Sequence, residues 1–434
     1  MRTKVIKSIA DSEEFKKKIM FWSQTYREIA VLDSNNHSEK YSKFDWVLAV
    51  DALTSIQTDF STSFDALQQY QQVTNDWLFG YLTFDLKNNI EKLHSLNFDG
   101  LHFPDLFFFQ PKKLFFISCN QVEMLYMNFC EDEIEKDFIS ICSINTDIKK
   151  DEVPINEIQI KQRISKEVYY KKVNEMLEHI QKGNIYEANL CMEFYAEQTT
   201  INPLDTFEKL NAISKAPFTV FFKNNLHFLL SASPERYLKK EKNKLISQPI
   251  KGTAKRYKDP IADFKSKEQL ENNPKERSEN IMITDLVRND LSKTASRGSV
   301  KVEELCGIHT FNQVHQMIST ITSKINPEIP LISTITTTFP MGSMTGAPKI
   351  AALQIIEDLE ETKRGLYSGS FGYFTPDGDF DFNVVIRSIL FNAATNYVSF
   401  SVGSAITSLS KPELEYEECL LKAKAMFQVL NNLD

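Results

Sequence analysis

The run Phe218-Thr219-Val220-Phe221-Phe222, then Leu226-His227-Phe228-Leu229-Leu230, then Tyr237-Leu238, decides the fold. Each piece is a short apolar stretch, rich in phenylalanine, that suits a strand, and the links between them are short, as in hairpins. Lysine-rich Lys239–Lys244 reads as the solvated part of one such hairpin. Upstream, Ser165 can cap a helix in which Tyr169, Val173, Met176, Leu177 and Ile180 recur at helical spacing and Gly183 supplies the stop. A strand over Ile185–Phe194 follows. Downstream, strands are expected at Ser370–Phe374, Phe382–Leu390 and Tyr397–Val402, and helices near 275–290, 348–360 and 412–430. Successive hairpins with helices grouped between them give an α+β class with large antiparallel sheets layered with helices. Trp77–Asp85 reads as a buried strand of an N-terminal α+β subdomain, residues 1–145. Polar Asn145–Glu157 reads as a linker, and 158–434 as the larger domain.

With 42% hydrophobic and 25% charged residues over 434 positions, the chain has enough apolar material for a substantial core, which argues against disorder. A net charge of -8 argues against a general nucleic-acid binder but leaves room for an anionic substrate held by a few local cations. Cys119, Cys130, Cys142, Cys191, Cys306 and Cys419 form no CxxC pair, so neither a zinc site nor a disulfide framework is indicated. The first residues lack a signal peptide's apolar stretch, and no run approaches the roughly 20 apolar residues of a membrane span. The expectation is a cytoplasmic enzyme without membrane attachment.

Three constellations could carry chemistry. Glu276 and Glu279 follow Pro274, Glu415 and Glu418 follow Pro412, and each pair shares a helical face. Alone, either pair reads first as compensation of a helix dipole; together, on facing helices, they suit Mg²⁺, which prefers oxygen ligands. The segment Phe339–Lys349 (FPMGSMTGAPK) has glycines for close ligand approach and a helix start after Pro348 that could receive a carboxylate, although a structural turn is the simpler reading. In Gln248-Pro249-Ile250-Lys251-Gly252-Thr253, a desolvated lysine could act as a nucleophile. Glu235, in Ser233-Pro234-Glu235, could be a general acid if its pKa were raised, or a surface residue. Arg387 ends an apolar run, where a structural salt bridge and a substrate-carboxylate clamp are equally open.

The ordered motifs IYEANL, SPERYL, QPIKGTAKR, ERSENIMITDLVRNDL, FPMGSMTGAPK, LYSGSFGYF, FNVVIRS and ELEYEE resemble the chorismate-utilising family that includes anthranilate, isochorismate, salicylate and aminodeoxychorismate synthases. The likeness spans at least Ile185–Met426 and implies an anthranilate synthase component I-like fold, with 158–434 as the chorismate-binding catalytic domain. PIKGT is similar to the aminodeoxychorismate-forming version. That resemblance implies a Lys251 adduct at C2 of chorismate, loss of the C4 hydroxyl assisted by Glu235, and attack of ammonia at C4 to give 4-amino-4-deoxychorismate for 4-aminobenzoate and folate synthesis. It also implies Mg²⁺ held directly by Glu279 and Glu418 with Glu276 and Glu415 nearby. Arg387 and Tyr367 would hold a substrate carboxylate, and Thr345, Gly346 and Gly403 would line the pocket. Ammonia would come from a separate glutamine amidotransferase subunit, since the sequence contains no CxGxxG nucleophile segment.

Two positions depart from the family pattern. Gln316, beside His315, stands where many relatives carry a histidine linked to pyruvate elimination in the anthranilate-forming members. Glu187 stands where glutamine or lysine is more familiar, and could steer ammonia, bind ammonium or satisfy a neighbour. Competing readings are anthranilate synthase component I, a non-catalytic chorismate-binding protein and a generic Mg²⁺-dependent hydrolase; the last leaves PIKGT unexplained.

Overall fold

The computed structural model describes residues 1–37, 40–59, 61–91, 93–145, 158–311 and 314–431. Its strands form one antiparallel hydrogen-bonded network with two long arms and a short branch, in which Leu106–Ser118 pairs with Gln121–Met127 and that strand with Arg2–Ser8. In the first, Trp46–Thr58 pairs with Glu28–Asp33, which pairs with Phe218–Asn224. The order continues through His227–Ser233, Ser388–Asn392 and Tyr397–Thr407, and ends at Glu187–Ala196. In the second, Trp46–Thr58 pairs with Leu106–Ser118, then Leu78–Leu82, then Ser370–Phe374. That arm runs on through Phe380–Asn383, Arg236–Glu241 and Lys244–Gln248 to Val314–Lys324, which pairs along the same edge with Ile250–Lys255 and along its other edge with Lys301–Thr310. A phenylalanine-rich core that includes Tyr81, Phe107, Phe108, Phe222 and Phe371 joins strands of both arms. A second core lies under helices on the first arm.

The opening run behaves as its hairpin pattern requires, Phe218–Asn224 turning back on His227–Ser233. The expected linker lies, beyond Asn145, outside the described residues, and strands from either side of it pair with one another. The helix Lys166–Gln181 is capped by Ser165, whose side chain accepts from the Val168 amide, and Gly183 has φ +77°. The helices Pro274–Ser292, Lys349–Leu359 and Pro412–Leu430 stand where expected.

Two expectations are corrected. Lys239–Lys244 is not all solvated. Lys239 is buried on the strand Arg236–Glu241, and its ammonium reaches the Tyr41 carbonyl at 2.5 Å, because both faces of that part of the strand are covered whatever the local charge density. Nor is Phe382–Leu390 one strand. The chain leaves the ladder after Asn383, the Val384 and Val385 amides bond the Glu235 and Gly369 carbonyls, and Arg387 takes φ +53° before pairing resumes at Ser388. Leaving the ladder frees Arg387 from strand alternation.

Candidate active site

The two arms meet at one place. Glu187 begins the strand Glu187–Ala196 of one and Lys251 lies on the strand Ile250–Lys255 of the other, with Lys251 Nζ donating to Glu187 Oε1 at 2.9 Å. Both are enclosed, their side chains 11% and 2% exposed. Gly252 has φ +94°, a conformation that favours glycine, and a Cβ there would lie 3.0 Å from Glu276 Oε2. The lysine strand therefore runs directly beside the helix Pro274–Ser292. From that helix the Asn280 amide holds the carbonyls of Lys251 and Met317. Burial alone would depress the Lys251 pKa, but the charges of Glu187 and Glu279 and the bond to Glu187 outweigh it and hold the amine above its ordinary range. The resting group is a paired ammonium, not the free amine that desolvation alone would favour.

Glu235 is buried, and burial pushes its carboxyl up to about 7, against opposing pulls from a Ser343 hydrogen bond and the Lys251 charge. It is an acid able to hold a proton near neutrality. Ser343 belongs to the single helical turn Gly342–Met344 of the FPMGSMTGAPK segment. The Met344 and Thr345 amides bond carbonyls within that turn, and the Thr345 hydroxyl donates to Met341 and Gly342, so neither amide is available for a carboxylate. Gly346 is fixed by packing: a Cβ would lie 2.1 Å from the Glu187 carbonyl. Gly403 abuts Cys191 in the same way, and its carbonyl accepts from Lys422 at 2.8 Å.

All four helical glutamates face one region. Burial raises Glu279 to about 7, with Glu187 and Glu276 adding to the rise, while burial and the Glu418 charge raise Glu276. Glu279 Oε1 is buried and accepts no hydrogen bond among the described residues. Lys275 stands 3.4 Å from Glu415 and 3.8 Å from Glu279; burial opposes its charge, but all four glutamates together raise its pKa. Glu415 also takes a hydrogen bond from Ser404, and Glu418 pairs with Lys422 at 2.7 Å. As these side chains stand, no three His, Cys, Asp or Glu among the described residues are grouped closely enough to hold a metal. The donor set nevertheless fits a hard divalent cation, because crowded carboxylates and an orphaned oxygen require positive charge.

Arg387 is half-buried, and burial lowers its pKa; Tyr367 and Glu418 pull the other way. Among the described residues no carboxylate pairs with it, so the salt-bridge alternative is removed. Tyr367 is buried, its hydroxyl 3.9 Å from the Cys191 sulfur. Gln316 is buried with Oε1 accepting no hydrogen bond among the described residues, whereas His315 bonds Thr310 and Asp263.

Sequence reasoning missed Arg364. Its guanidinium forks onto Glu360 at 2.9 and 2.7 Å and reaches the Met344 and Asn189 carbonyls, while Glu360 also takes the Cys191 amide. No helical spacing announces the pair, because the helix Lys349–Leu359 ends before Glu360 and Arg364 lies in the loop that follows. This pair binds the Gly-rich segment to the strand carrying Glu187. Arg364→Ala should destabilise the fold by about 3–5 kcal/mol, as expected for one half of a buried pair left alone; chemical denaturation followed by circular dichroism measures it.

A family model described as chorismate binding enzyme matches residues 17–428. An anthranilate synthase component I-like protein of Synechocystis is 33% identical over 359 residues, 82% of this chain and 73% of that one. Aminodeoxychorismate synthase component 1 of Escherichia coli is 36% identical over 267 residues, 62% of this chain and 58% of the relative. In the latter case the match therefore spans less than two thirds of the relative's length. Anthranilate synthase component I from Streptococcus pneumoniae superposes with a TM-score of 0.79 at 21% identity, covering 90% of this chain and 93% of the other, which shows a shared fold. The match over nearly the whole chain makes this protein a member of the chorismate-binding enzyme family.

Proposed function

We propose that the chain aminates chorismate at C4 to give 4-amino-4-deoxychorismate, the precursor of 4-aminobenzoate in folate synthesis. One observation carries the reading: a largely enclosed lysine amine, in contact with one carboxylate, shares its surroundings with the raised-pKa acid Glu235. Lys251 first passes a proton to Glu187, the carboxylate it touches. Its amine then bonds to C2, electrons shift through the ring's double bonds, and the C4–O bond breaks as Glu235 protonates the departing hydroxyl. Ammonia bonds to C4 and the C2–Nζ bond breaks, its electrons returning to Lys251. Arg387, with Tyr367 beside it, receives a substrate carboxylate.

Glu279 and Glu418, with Glu276 and Glu415, are the residues to hold Mg²⁺, which when bound would neutralise the ring carboxylate and the reacting end. Ammonia would come from a glutamine amidotransferase subunit or from free ammonium. Purified protein given chorismate, ammonium and Mg²⁺ should form 4-amino-4-deoxychorismate, identified by mass spectrometry. Chelation should abolish turnover, and Mg²⁺ should restore it in the wild type but not in Glu279→Gln. Anthranilate with pyruvate would instead favour the reading suggested by the Synechocystis relative, and no turnover would favour a binding protein.

A further inference from the structure

The scheme above gives a task to only one oxygen of Glu187. Oε1 accepts from Lys251, whereas Oε2 is buried and accepts no hydrogen bond among the described residues. A buried carboxylate oxygen without a donor is costly, so the site is matched to a ligand that brings an N–H or O–H. Glu279 Oε1, whose carboxylate charge acts on Lys251, also accepts no hydrogen bond among the described residues, although the Lys275 ammonium faces it at 3.8 Å. The surroundings of the lysine are thus short of donors. A dianionic substrate supplies mainly acceptors, but ammonia supplies three N–H groups and one lone pair. The backbone of Glu187 is rigid: it pairs with Thr407 on one side and Ala347 on the other, and Gly346 packs against its carbonyl.

We propose that Glu187 Oε2 is the ammonia-holding acceptor of this enzyme: one N–H of ammonia donates to it, leaving the nitrogen lone pair free for C4. The inference rests on the amination reading. The C4–N bond forms from that lone pair and the C2–Nζ bond breaks. Lys251 then regains from Glu187 the proton it had given up, and the product keeps the new nitrogen as an ammonium. The proton shed when ammonium becomes ammonia restores the acid form of Glu235.

Glu187→Gln tests this directly, because its carbonyl oxygen can still accept from Lys251 while an NH₂ donor replaces the orphan acceptor. With ammonium chloride as nitrogen source, the KM for ammonium should rise roughly 10-fold, the effect of one lost hydrogen bond. kcat should fall as well, because the amide cannot take the Lys251 proton, while the KM for chorismate and the melting temperature should hold. Glu187→Asp, which keeps the charge but withdraws the oxygens, should fall between the two. Slowed formation of the Lys251 adduct in the absence of ammonium is expected in Glu187→Gln either way; an unchanged ammonium KM beside it would assign Glu187 to the lysine alone and overturn the inference. Wild-type protein that forms no 4-amino-4-deoxychorismate would overturn the amination reading itself.

Discussion

Replacing Lys251 by alanine should lower amination on the order of 10³-fold, whether nitrogen comes from ammonium or from an amidotransferase, since a covalent route through an adduct is lost outright. The same change strips Glu187 of its counter-ion in a closed site, so a loss of activity alone could reflect a damaged pocket. Lys251→Arg separates the two effects, because the guanidinium keeps the positive charge but is not a usable nucleophile. It should stay folded and be nearly as inactive as the alanine variant. The measurement is steady-state product formation, joined to mass analysis of the peptide carrying residue 251 after exposure to chorismate without ammonium. Full activity in Lys251→Ala would end the covalent scheme.

Removal of the acid should cost almost as much. Glu235→Gln cannot protonate the departing hydroxyl, and a decrease of roughly 10²- to 10⁴-fold in kcat is expected. The pH dependence follows from the sign of its shift. With the carboxyl raised to about 7, the acid form that catalysis needs predominates below that pH and is depleted above it. The rate for chorismate at limiting concentration should therefore decline about tenfold per pH unit on the alkaline side. The glutamine variant should lack this limb. A wild-type profile flat from pH 6 to pH 9 would mean that another group supplies the proton.

Much of the architecture was legible in the residues. The helix Pro274–Ser292 stands where Pro274 and the shared face of Glu276 and Glu279 place it, and the structure adds the cap, Asn273, whose side chain accepts from the Lys275 and Glu276 amides. The hairpin Phe218–Ser233 is marked by short polar links between apolar runs. What sequence could not disclose were contacts made through space. Lys251 and Glu187 lie on separate strands 64 positions apart, and no periodicity connects them. The role of Glu187 was left open for that reason, and Lys251 was read as a desolvated amine, not as half of an ion pair. Lys239 was misjudged because local charge density does not show that both faces of its strand are covered. Arg387 was placed on an unbroken strand because nothing in Val384-Val385-Ile386 signals departure from a ladder.

The way the sheet arms are threaded also governs how the polypeptide acquires its structure during synthesis. Leu78–Leu82 finds one neighbour nearby in Leu106–Ser118, but its other is Ser370–Phe374, made only after most of the protein has left the ribosome. Glu28–Asp33 likewise waits for Phe218–Asn224. Early translation intermediates must carry bare apolar ribbon edges for a long interval, which favours slow maturation and recruitment of chaperones. Ribosome-stalled chains ending near residue 330 should thus remain cleavable by protease around Leu78–Leu82, and those extended past residue 374 and clear of the exit tunnel should become resistant.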